Sequence, residues 1–130
     1  MKDGLTPLSA EFVKRFEGND LEGVVALYAP DAVLYPPDAT EAIGTEAIRK
    51  AWGGLMNAFT VQKLIITGAA HEIHGEDTAF GWGKFAMILI PKGGGDTVRM
   101  EGRFTDVSKR INDRWLYIFD HASIPLPPQR

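Results

Sequence analysis

From Thr60 to Ser123 the chain is a succession of long β-forming runs broken by short turn signals, and this constrains the fold more than any other feature. The runs are "TVQKLIITGAAHEIHG", "DTAFGWGKFAMILI", "TVRMEGRFTDVSKRI" and "RWLYIFDHAS". Between the second and third lies "PKGGGD", and between the third and fourth "ND", both rich in residues that favour turns. Strands joined by such short connections pair antiparallel, so the second half predicts a four-stranded meander. The "GAA" stretch at Gly68 predicts a bulge or bend in the first of these strands.

The first half carries helical spacing. Leu8, Phe12 and Phe16 recur every four residues, with Ser9 as the expected N-cap and Gly18 as the stop. Asp20 is the expected cap of a second helix whose stripe is Leu21, Val24, Val25 and Tyr28, ended by Pro30. "DAVLYPPDA" predicts a short strand broken by prolines. A third helix, capped by Thr45, presents Ile48, Trp52, Leu55, Met56 and Phe59 on one side. Helices followed by strands predict an α+β domain, three N-terminal helices packed on one face of a bent antiparallel sheet. At 130 residues the chain is expected to be one domain, 1–130, with "PLPPQR" an extended and poorly anchored tail.

Several function classes are disfavoured. There is no cysteine, hence no disulfide framework, thiolate metal site or cysteine nucleophile. The net charge of −3, without a Lys/Arg cluster, argues against nucleic acid as a partner. "FAMILIP" is too short to span a bilayer, and the N-terminus lacks the apolar segment of a secretory signal. A cytoplasmic protein with no membrane partner is expected. His71 and His74 in "HEIHG" are three apart on a strand and so point to opposite faces, which leaves no metal site. In "PKGGGD" the lysine precedes the glycines and no helix follows, so a phosphate loop is excluded and no cofactor is expected.

The stretches "FEGNDLEGVVALYAPDAVLYPP", "GTEAIRKAW", "GRFTDV" and "RWLYIFDHASIP" resemble the SnoaL-like and ketosteroid-isomerase-like families of the nuclear-transport-factor-two-like superfamily. The resemblance spans about Phe12 to Pro125 and implies a cone-shaped, cystatin-like α+β fold. It also implies three isomerase roles. Phe12 falls at the position of the oxyanion-binding tyrosine and has no hydroxyl. Tyr35 falls at the general-base position, where a phenol is a poor base at neutral pH. Asp106 falls at the position of the protonated acid. With two of the three roles missing, steroid isomerase activity is not expected.

Counting outward from an Asn112-Asp113 turn pairs Ile111 with Arg114, Asp106 with Phe119 and Phe104 with His121. These last four residues then share one face, and Arg103, Thr105 and Asp120 occupy the other. Asp106 and His121 become diagonal neighbours at roughly 7–8 Å, an acid–base pair if they face a pocket. The expected catalytic residues are Asp106 and His121, with Tyr35 added as what the resemblance implies. Phe12, Phe16, Tyr28, Trp52, Phe104, Phe119 and Ser123 are expected to bind a small apolar or aromatic ligand. The alternative is a non-catalytic dimerisation or association module. Either way a homodimer through the outer sheet face is expected, because the helices cover only one face.

Overall fold

The computed structural model describes residues 1–37 and 39–125; the expected tail, apart from Pro125, lies outside the described residues. In chain order the elements are β1 (Lys2–Asp3), α1 (Pro7–Glu17), α2 (Leu21–Val25), β2 (Tyr28–Tyr35), β3 (Ala42–Ile43), α3 (Thr45–Ala58), β4 (Phe59–His74), β5 (Thr78–Pro91), β6 (Val98–Ile111) and β7 (Arg114–Ser123). The α+β class expected from the sequence is observed, but the sheet is larger and mixed. Among the described residues seven strands run in the order β1-β4-β5-β6-β7-β2-β3. The β4–β7 meander is antiparallel, and β2 joins β7 in parallel.

The helix boundaries differ from the sequence reading for local reasons. Thr6, not Ser9, caps α1: its Oγ1 accepts from the Ser9 N–H at 3.1 Å, and Pro7 takes the first helical position, which needs no N–H donor. Asp20 caps α2 as expected, its Oδ1 accepting from the Gly23 N–H at 2.9 Å. That helix ends at Val25, and Tyr28 opens a strand that continues through Pro30. Gly44, at φ +87°, replaces Thr45 as the residue before α3.

Phe16, Val24, Ile48, Leu34 and Leu89 are fully buried between the helices and the concave face of the sheet. Two polar residues anchor α1 and its following turn to β4. Asn19 accepts from the Val61 N–H at 2.7 Å and donates to the Val61 carbonyl at 3.0 Å. Glu17 accepts from the Leu64 N–H at 2.9 Å. β4 shifts register between Val61 and Lys63, and the two side chains satisfy backbone donors on either side of that shift. A second shift, between Thr67 and Ala70, falls on the "GAA" stretch. No helix of the described residues is long and apolar enough to cross a membrane.

Candidate functional site

The decisive local feature is one extra residue in β7. From the turn the pairs run Ile111–Arg114, Arg110–Trp115, Lys109–Leu116 and Ser108–Tyr117, as direct counting requires. Ile118 is then passed over, and Val107 faces Phe119, Asp106 faces Asp120 and Thr105 faces His121. A one-residue bulge reverses the face of every side chain beyond it. Asp120 therefore turns inward beside Asp106, and His121 turns outward.

This corrects the expected pairing of Asp106 with His121. His121 is exposed on the outer face, where its ring stands 5.4 Å from that of Tyr35. Tyr35, expected at the pocket, is 42% exposed and packs edge-on against Phe119 at 5.1 Å. Phe119 and Ser123 likewise follow the outward alternation of β7, with Ser123 opposite Arg103. Of the residues expected to line a pocket, Phe12, Trp52, Phe104 and Asp106 do line one. Phe16 is fully buried behind Phe12, stacked on it at 5.6 Å. Tyr28 lies beneath Asp120.

The pocket lies between α1, α3 and the concave sheet face and measures about 60 Å³, space for a few waters at roughly 10–15 Å³ each. Apolar side chains dominate its wall, including Phe12, Val13, Ile66, Phe85 and Met87. The polar groups are Ser9, Asp106, Tyr117, Asp120 and the Trp52 indole; among the described residues no Lys, Arg or His lines it.

A directed chain of hydrogen bonds ends on Asp120. The Trp52 indole N–H, a donor only, donates to Tyr28 Oη at 3.1 Å. Tyr28 donates its single proton to Asp120 Oδ2 at 2.6 Å. Ser9 Oγ and Tyr117 Oη form a second hydroxyl pair at 2.7 Å. Among the described residues Asp106 makes no side-chain hydrogen bond. Its carboxyl occupies the space above Gly81, its partner on β5, where a Cβ would lie 2.7 Å from Oδ1. Glycine at position 81 is thus what lets Asp106 sit at the pocket wall.

Burial in this apolar wall pushes the Asp106 carboxyl up to about 7, with the nearby Asp120 charge adding to the effect. Burial also raises Asp120, to about 6, against the opposing donation from Tyr28. Burial raises the Tyr28 and Tyr117 phenols further above their ordinary range, so both stay protonated donors at neutral pH. Two carboxyls facing each other, with no cation beside them among the described residues, cannot both ionise cheaply, so near neutral pH the pair retains a proton. Asp120, which receives the Tyr28 hydroxyl, is the better carboxylate, and Asp106 is the better acid.

Asp120 was the functional candidate that direct strand counting missed. The signal that could have exposed it is "IFDHAS" itself, since one bulge anywhere between the turn and Asp120 exchanges the faces of Asp120 and His121. His71 is buried, its Nδ1 2.9 Å from the Gly4 carbonyl oxygen, and His74 is exposed beside Glu72. The described residues contain no group of three or more His, Asp or Glu side chains placed to hold a metal.

Comparison with solved structures identifies the same architecture at low sequence identity. A Xanthomonas campestris protein, provisionally described as a calcium/calmodulin dependent protein kinase II association domain, superposes with a TM-score of 0.83 at 21% identity, over 96% of this chain and 95% of that one. A Streptomyces avermitilis protein, provisionally described as a dehydratase of the NTF2-like family, gives 0.78 at 18% identity, over 92% and 93%. A ketosteroid isomerase-like protein of Erwinia carotovora atroseptica gives 0.73 at 17% identity, over 92% and 92%. No curated protein matches the sequence. The fold is thus the NTF2-like, cystatin-like one. The family model for the SnoaL-like domain matches residues 10–118, from the second turn of α1 to the bulge in β7, and the chain belongs to that family.

Proposed function

We propose that this chain is an acid–base enzyme acting on a small, uncharged, largely apolar molecule that carries a carbonyl or hydroxyl group. The observation that carries this reading is the cross-strand Asp106–Asp120 pair at the wall of an apolar pocket, with no cation lining it among the described residues. Asp120, ionised and held by Tyr28, takes a proton from the ligand. Asp106, protonated, donates a hydrogen bond to the oxygen on which charge develops. A neutral carboxylic acid near pH 7 is an effective donor, because it stabilises an oxyanion without bringing a charge of its own. Such a pair suits isomerisation or elimination, in keeping with the dehydratase and isomerase-like descriptions of similar structures. His121 and Tyr35 have no part in this chemistry, since both face outward.

The test is exchange of the α-protons of cyclohex-2-enone with D₂O, followed by NMR. The native protein is expected to accelerate exchange, and Asp120→Asn to lower the acceleration by about 10² or more. Exchange at the buffer rate with native protein would refute the reading.

The association-module reading is supported by the opposite face. Val33, Phe119, Val107 and Phe80 form an apolar row across β2, β7, β6 and β5, with Tyr35 and Trp82 beside it. We infer that a second copy of the chain covers this row. The inner pocket and an outer dimer face use opposite sides of the sheet, so the two roles are compatible.

A further inference from the structure

We propose that the apolar chamber behind Trp52 is a second subsite, which takes the alkyl or ring portion of a ligand whose oxygen is held at the carboxyl pair. The inference rests on the acid–base reading of that pair. The chamber measures about 170 Å³ and is walled by Leu34, Pro36, Ala51, Leu55 and Met100, among others. It shares Trp52, Met87 and Ala122 with the carboxyl pocket, so among the described residues these three side chains border both spaces.

The divider has one rigid and two yielding parts. Trp52 is fixed by its bond to Tyr28 and by edge contacts with Phe12 at 5.5 Å and Phe16 at 5.4 Å. Met87 is unbranched and adapts its shape, and Ala122 projects only a methyl group. A chain threaded past Met87 would pass from the carboxyl pair into the chamber. Among the described residues, apart from the Trp52 indole N–H, already given to Tyr28, and the weakly accepting Met87 and Met100 sulfurs, no side chain lining the chamber can hydrogen-bond or carry charge. A polar or ionised tail would lose its hydration there without compensation, whereas an apolar tail gains. The ligand class that fits both spaces has a neutral oxygen-bearing head and an apolar tail. A carboxylate or phosphate head is opposed by the Asp106–Asp120 pair.

Binding of phenol, 4-ethylphenol and 4-butylphenol, measured by titration calorimetry at pH 6, tests this. In the native protein affinity should rise by about fourfold per added methylene, the gain expected for burying that group. In Ala51→Leu and, independently, Leu55→Trp, which fill the chamber, the rise should vanish while phenol itself binds within about twofold of native. Retained phenol binding also reports that each variant is folded. A flat series in the native protein, or a rise that persists in both variants, overturns the subsite alone. No binding of phenol by the native protein overturns the carboxyl-site reading and the subsite with it.

Discussion

Asp106 makes the folded state costly at neutral pH. Its carboxyl is raised by burial to about 7, so the folded chain holds that proton more tightly than the unfolded chain, whose Asp titrates near 3.9. Between about pH 4 and pH 7 the folded state therefore binds more protons, and this residue's contribution to stability falls as pH rises. The penalty is complete above the folded value and absent below the unfolded one. Asp120, raised to about 6, acts in the same direction, and the neighbouring Tyr28 and Tyr117 phenols stay neutral throughout this range. A tenfold difference in proton affinity between the two states is worth about 1.4 kcal/mol. Asp106→Asn, which keeps the shape and removes the charge, should therefore stabilise the protein at pH 8, on the order of 2 kcal/mol, and far less at pH 5. Urea unfolding at the two pH values decides it; equal effects at both would contradict a raised carboxyl.

At the level of elements, the Asn19 contact shows how the helices are held over the pocket. Asn19→Ala would leave the Val61 N–H and carbonyl without their partners, a cost of about 1–3 kcal/mol. A midpoint in thermal unfolding unchanged from native would show that water replaces the side chain. What was legible in the sequence, and what was not, also divides by element. The helical stripes and the long strands follow from periodicity, and the Asn112-Asp113 turn correctly aligned the first four pairs of the last hairpin. The bulge at Ile118 has no such signature. An extra residue in a strand of Ile, Phe and Tyr changes no local propensity, yet it exchanged Asp120 for His121 at the pocket. Tyr28 was misplaced for a related reason. Its apolar spacing fits the preceding helix, while parallel pairing with Tyr117 on β7, distant in sequence, makes it a strand residue. Tertiary pairing of this kind overrides local periodicity.

For the whole molecule, the apolar row on the outer sheet face predicts self-association, since Phe80 and Tyr35 are 40% and 42% exposed. Sedimentation should find a dimer at micromolar concentration, and Phe80→Glu should give a folded monomer. A native monomer at that concentration would leave the outer row without the proposed occupant. The inner pocket can work as proposed only if Asp106 and Asp120 share a proton near neutral pH. NMR titration of ¹³Cγ-labelled aspartates from pH 3 to 9, in native protein and in Asp120→Asn, measures this directly. The native protein should show two carboxyls titrating near pH 6 and 7, and removal of the Asp120 charge should lower the Asp106 value. If every aspartate instead titrates near pH 4, the pair holds no proton at neutral pH and the proposed acid is absent.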